Sequence, residues 1–142
     1  MLHFQKIILL GTLLFTSAIC AEQRYLAPEY IQNVTVLTAE EVVSKILSNP
    51  DLVIIDSRKK TEYKKGHIEG AVNVLNTELL EQDLENLVAE KIREILFYCD
   101  GERCLRSSDS ISKSKAWGYK NLFWFRGGWK EWHEKRFPYV TK

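Results

Sequence analysis

Glu94-Ile95-Leu96-Phe97-Tyr98-Cys99-Asp100-Gly101-Glu102-Arg103-Cys104-Leu105-Arg106-Ser107-Ser108 reads as a buried strand, a short loop and the first turn of a helix. Ile95 to Tyr98 is a continuous apolar, β-favouring run, as expected of a strand covered on both faces. Asp100 to Arg103 turns the chain, and Ser107 or Ser108 is placed to cap the helix that follows. Cys99 therefore stands at the carboxyl end of a core strand, the edge of a parallel sheet where ligands bind. Backbone N–H groups, a helix N-terminus and the cations Arg103 and Arg106 all favour thiolate over thiol at such a position, and the thiolate is the nucleophile. A cysteine ending a core strand is also common as plain packing. The surrounding pattern has to decide between the two.

Outward from this stretch, apolar runs of strand type alternate with helical segments. Val34 to Leu37 forms a short strand. Thr38 with Glu41 is a capping box, so a helix starts there, with Val42, Val43, Ile46 and Leu47 inward and a stop at Asn49-Pro50. Leu52 to Ile55 is a second buried strand, ended by Asp56-Ser57-Arg58. Asp56 in such a place holds neighbouring loops by hydrogen bonds, because a buried carboxylate is paired. Val72 and Val74 make a short strand, Thr77 to Ile92 a helix with a leucine stripe, and Ser108 to Trp117 a helix ended by Gly118. Leu122 to Phe125 is an aromatic strand, Gly127-Gly128 opens a last helix, and Phe137 to Val140 closes over apolar surface. The four tryptophans occupy core positions and carry no binding role in this reading. The alternation means an α/β domain with a mainly parallel sheet.

The chain of 142 residues has room for one domain. Residues 1–21 follow a secretory signal pattern: Lys6, an apolar Ile7 to Phe15, then a small-residue end. Cleavage after Cys20 or Ala21 fits, and a lipoprotein at Cys20 is disfavoured by Ile19. Residues 22–33 form an arm, and residues 34–142 the domain. Export places the protein in the periplasm or outside the cell, without a membrane anchor after cleavage. Removal of Lys6 leaves 19 basic and 19 acidic residues, so no basic field remains to hold nucleic acid. Cys99 and Cys104 are then the remaining cysteines, and two in an exported domain ordinarily suggest a disulfide.

Five pieces in order make a family visible: Asp56-Ser57-Arg58, Gly66-His67-Ile68-Glu69-Gly70-Ala71-Val72-Asn73, Phe97-Tyr98-Cys99, Gly118-Tyr119-Lys120-Asn121-Leu122, and Gly127-Gly128-Trp129-Lys130-Glu131-Trp132. In order and spacing they resemble a rhodanese domain, over residues 34–140. The resemblance implies the rhodanese fold, a parallel five-stranded sheet with helices on both faces. It also implies sulfurtransferase chemistry at Cys99, with Asp100, Gly101, Glu102, Arg103, Cys104, Leu105 and Arg106 as the active, substrate-binding loop. Asp56, Arg58 and His67 support the site, His67 as a structural polar contact. The Cys99 to Gly118 interval is about two residues longer than usual, and the Cys-x4-Cys pattern looks like that of exported single-domain members. Dual-specificity phosphatases on this fold use Cys-x5-Arg; Leu105 stands at the Arg position, so that signature is missing.

The implied reaction carries sulfane sulfur as a persulfide on Cys99 and passes it to a thiophile. Partners would be a small-molecule donor such as thiosulfate, cyanide or a thiol as acceptor, and a periplasmic protein acceptor. The expected state is a monomer without cofactor. Cys104 admits three roles: disulfide partner of Cys99, resolving thiol, or inert packing. The first two make a second reading, a thiol–disulfide or sulfur-relay module without thiosulfate:cyanide activity. Metal binding is the weakest, since two thiolates with no neighbouring His fall short of a structural metal set.

Overall fold

The computed structural model describes residues 26–142; the signal segment read at residues 1–21 lies outside them. Five strands alternate with five helices: β1 (Thr35–Val36), α1 (Ala39–Ser48), β2 (Val53–Asp56), α2 (Lys60–Lys65), β3 (Val72–Asn73), α3 (Glu81–Leu87), β4 (Ile95–Tyr98), α4 (Arg106–Ala116), β5 (Leu122–Phe125) and α5 (Gly128–Glu134). The strands form one parallel sheet in the order β1-β5-β4-β2-β3. β4 lies at its centre, and all four of its residues are buried.

Strand periodicity of two splits the core into two layers. Ile95, Phe97, Ile55 and Trp124 point to one side, packing with Leu84 of α3 and Ile111 of α4. Leu96, Tyr98, Ile54 and Phe125 point to the other, with Val42 of α1, Tyr63 of α2 and Trp132 of α5. Cys99 continues the Phe97 side, which directs it towards α4. The capping box at α1 forms as read: Thr38 Oγ1 accepts from the Glu41 N–H, and Glu41 accepts from the Thr38 N–H at 2.7 Å. Ala27 of the arm is buried in the first layer, and Arg126 donates to the Ala27 and Pro28 carbonyls.

One expectation is too long. The helix read over Thr77 to Ile92 is only Glu81–Leu87. Leu79 and Val88 are buried as the leucine stripe requires, but residues 75–78 form a turn. Asp83 then starts the helix late by accepting from the Leu80 N–H at 2.8 Å. A local cap outcompetes a few tenths of a kcal/mol of helix propensity per residue.

A buried ion pair ties the site edge of the sheet together. Asp56 ends β2 with 0% exposure, and Arg58, two residues on, is 1% exposed. Arg58 donates to the Asp56 carboxylate from Nε and Nη2, at 3.0 and 2.6 Å, and from its backbone N–H at 2.9 Å. Tyr98, the last residue of β4, donates its hydroxyl to Asp56 Oδ2 at 2.6 Å and accepts from the Ile68 N–H at 3.2 Å. Arg58 Nη2 also donates to the Gly66 carbonyl at 2.7 Å, and the guanidinium lies 4.5 Å from the Trp129 ring centre. Gly66 has no side chain for a reason: a Cβ there would press into the Trp129 ring at 2.9 Å.

Burial by itself would lower the Arg58 pKa, but the hydrogen bonds and charge of Asp56 outweigh it and hold Arg58 above its ordinary value. Burial, then the Asp56 charge, push the Tyr98 phenol far up, so it remains a donor. Every Asp56 lone pair has a partner, which is what allows a charge to sit there. Asp56→Asn leaves Arg58 buried without its counter-ion. The expected loss is about 3–5 kcal/mol of unfolding free energy, read from urea denaturation of the reduced protein; a loss below 1 kcal/mol would mean that the pair does not hold these loops.

Candidate active site

Cys99 follows β4 directly and is 1% exposed. Its carbonyl accepts from the Trp129 N–H and the Asp100 carbonyl from the Lys130 N–H, both at 2.8 Å. The first turn of α5, whose N–H groups lack helical partners, therefore grips the backbone of the loop. This grip needs Gly128: its φ is 57°, and a Cβ would run into the Cys99 carbonyl. Within the loop the Cys104 N–H closes a turn on the Gly101 carbonyl at 2.9 Å. The amides of Gly101, Glu102 and Arg103 have no acceptor among the described residues.

Cys99 and Cys104 are joined as a disulfide, with Cα atoms 6.4 Å apart across five positions of sequence. That separation falls within the range a disulfide spans. Of the three roles open to Cys104 from sequence, inert packing is the one that this juxtaposition removes. Cys104 is the more accessible partner, half-buried where Cys99 is enclosed.

Sequence reasoning placed Ser107 or Ser108 as a helix cap, and the structure corrects it. α4 begins at Arg106 with Leu105 at the cap position and no side-chain cap. Ser108 Oγ donates to the Leu105 carbonyl, and Ser107, buried in the first turn, turns to the sulfur. Its Oγ lies 3.3 Å from Cys99 Sγ. The Trp124 indole N–H donates to the same Oγ at 2.9 Å. Indole nitrogen is donor only, so it occupies a lone pair and leaves the hydroxyl proton for the sulfur. Trp124 is thus core, as expected, but it also aims Ser107. The helix starts at 106, so Ser107 lies in its first turn; the pairing of positions 107 and 124 has no local trace in the sequence.

The two loop arginines separate. Arg106 is ion-paired to Asp100 at 3.1 Å and Glu62 at 3.5 Å, and its Nη1 is 3.9 Å from Cys104 Sγ. The expectation that it acts on Cys99 is corrected: it faces the second sulfur, with its charge already balanced. Arg103 is exposed, with no ion-pair partner among the described residues. Burial, then the Glu62 charge, raise the Asp100 pKa above the usual carboxylate value. Glu102 pairs with Arg126 at 3.2 Å, and Leu105 is exposed. An open depression of about 960 Å³ lies over Gly101 to Cys104, walled by Lys130, Glu134 and Lys135 of α5 and its C-terminal flank. Asp56 and Arg58 support this edge from the β2 side. His67 is buried, with Nδ1 2.9 Å from the Tyr63 carbonyl and its ring stacked on Tyr63.

Ser107→Ala removes one hydrogen bond to the thiolate of the reduced site. A bond to a charged group is worth about 1.5 kcal/mol, so iodoacetamide alkylation of Cys99 at neutral pH should slow about three- to tenfold. The rate is measured in a Cys104→Ser background, and an unchanged rate would show that the hydroxyl does not serve the thiolate.

Comparison with known proteins bears on the fold and the family. The family model for the rhodanese-like domain matches residues 38–135. A tRNA uridine(34) hydroxylase from Buchnera aphidicola is 37% identical over 102 residues, 66% of this chain but 30% of that protein. The chain thus spans about a third or less of the curated relatives it first matches. A Bacillus halodurans protein of known crystal structure superimposes with a TM-score of 0.68 at 18% identity, covering 75% of this chain and 77% of that one. A thiosulfate sulfurtransferase from Pseudomonas aeruginosa gives 0.61 at 24% identity, covering 76% of this chain and 20% of that one, a likeness of fold. With the family match extending from the α1 cap to the end of α5, this chain belongs to the rhodanese-like domain family.

Proposed function

We propose that the reduced chain is a sulfurtransferase that carries sulfane sulfur as a persulfide on Cys99. The observation that carries this reading is the setting of Cys99 Sγ: at the end of β4, facing Ser107 Oγ in the first turn of α4, beneath a loop with free amides. The Cys99 thiolate attacks the outer sulfur of a donor such as thiosulfate. The donor S–S bond breaks, its electron pair leaves with sulfite, and a Cys99 persulfide remains. The anionic outer sulfur then sits among the Gly101 to Arg103 amides and the α4 dipole, which act as fixed donors towards negative charge. Arg103, the exposed cation at the depression, draws the anionic donor in. A thiophile such as cyanide, a small thiol or a protein cysteine removes the outer sulfur and restores the thiolate. Buried Asp56, Arg58 and His67 hold the surrounding loops without touching substrate.

The signal pattern of residues 1–21 supports export to the periplasm or outside the cell, an environment in which a Cys99–Cys104 bond would persist until a reductant opened it. The disulfide itself favours a second reading, a thiol–disulfide module. The hydroxylase named for the relatives is the activity of proteins more than three times the length of the shared segment, and the sulfur-carrying reading does not draw on it.

The decisive measurement is intact mass of the reduced chain before and after thiosulfate. Wild type and Cys104→Ser should both react with thiosulfate, and Cys104→Ser should gain one sulfur and form thiocyanate on adding cyanide; Cys99→Ser should give only background. Thiocyanate production undiminished in Cys99→Ser, or no reaction with thiosulfate in any of the three, would sink the proposal.

A further inference from the structure

We infer that Cys104 discharges the Cys99 persulfide within the chain, so that the sulfur leaves as hydrosulfide and the chain is left as the disulfide. This rests on the persulfide reading above and gives it a product and a second substrate class: sulfane sulfur reduced to sulfide at the expense of a dithiol.

Three observations converge on Cys104. First, the fold places Cys104 Sγ on Cys99 Sγ itself, joined across a five-position loop with Cα atoms 6.4 Å apart. A thiol at that place reaches the inner sulfur of a Cys99 persulfide, and Cys104 itself lines the open depression over the loop. Second, Arg106 Nη1 stands 3.9 Å from Cys104 Sγ, and Arg106 is anchored on Asp100 and Glu62. With its charge balanced by those carboxylates, Arg106 serves Cys104 as a neighbouring N–H donor, and hydrogen bonding to a thiolate favours that form, which is the attacking species. Third, the two sulfurs differ in access: Cys99 is enclosed and hydrogen-bonded by Ser107, while Cys104 is half-buried at the depression.

The step balances without an outside reagent. The Cys104 thiolate attacks Cys99 Sγ, forming the Cys99–Cys104 bond. The bond between Cys99 Sγ and the outer sulfur breaks, and its electron pair leaves with that sulfur, which departs as HS⁻. Two cysteine sulfurs are oxidised to a disulfide and the sulfane sulfur is reduced to sulfide. The structure described here is then the product state of a turnover. Reopening it takes an external dithiol. Its thiolate attacks the accessible Cys104 sulfur, Cys99 departs as the thiolate that Ser107 receives, and the second thiol of the reductant completes its own disulfide.

The test is a single turnover of the reduced, thiol-free full chain with excess thiosulfate, in the absence of oxygen, reading released sulfide and intact mass together. Wild type is expected to release sulfide in stoichiometric amount and to end two hydrogens lighter than the reduced chain. Cys104→Ser is expected to stop one sulfur heavier and release none. Wild type that retains the extra sulfur with no sulfide released overturns the inference and leaves the persulfide reading standing; so does extra sulfur mapped to Cys104, which marks a relay. Cys104→Ser that gains no sulfur overturns the persulfide reading beneath it.

Discussion

Everything at the reactive edge of this domain depends on a buried carboxylate that is never left without partners. Asp56 and Tyr98 are register partners at the ends of β2 and β4. The pair they form with Arg58 reaches the Gly66 carbonyl and the face of Trp129. One ion pair therefore joins two central strands, the loop before β3 and the helix that grips the active loop. Replacing such a pair by apolar residues need not cost stability, while removing one member does. Its value here is geometric: it defines where Tyr98 ends, and Cys99 is the next residue.

The active loop is held from two sides by unrelated means. From α5 the grip is backbone to backbone, two N–H groups on the carbonyls of Cys99 and Asp100, and it requires a glycine at 128 with positive φ. From α4 it is a side-chain chain, Trp124 to Ser107 to Cys99. The carbonyls of Cys99 and Asp100 are engaged by α5, and the amides of Gly101 to Arg103 have no acceptor among the described residues. The acidic and basic side chains around the depression largely pair with each other, as in Glu102–Arg126 and Lys135–Glu131. The charges around the depression are therefore largely balanced within the chain.

The pair of sulfurs gives the site two states, and the asymmetry between them has a direction. The enclosed sulfur lies where the fold supplies a hydroxyl, a helix N-terminus and free amides. The accessible sulfur lies where solvent and a reductant can come, beside an arginine already neutralised by two carboxylates. Cys99 is enclosed and Cys104 is half-buried, so a reagent from solvent meets Cys104 first.

Much of this was legible without coordinates. Unbroken apolar runs of four residues mark strands buried on both faces, and Thr38 with Glu41 marks a helix start; these are local patterns, carried by periodicity and by groups three or four positions apart. They suffice for the α/β class, for a parallel sheet and for Cys99 at a strand end, and five short motifs in order supply the family. What the chain alone left open depends on contacts between residues distant in sequence. The shortening of α3 followed from the competition of Asp83 with a longer leucine stripe. The roles of Ser107 and Trp124 arise because β5 lies beside β4, bringing position 124 to position 107. Arg106 turns from Cys99 to Cys104 because Glu62 of α2 and Asp100 compete for it. The choice among three roles for Cys104 narrowed only when the loop folded one sulfur onto the other. Sequence by itself determined the class of fold and the candidate nucleophile, since both are written in neighbouring residues; the tertiary structure decided what touches that nucleophile, since hydrogen bonds and ion pairs depend on distances that chain order does not contain.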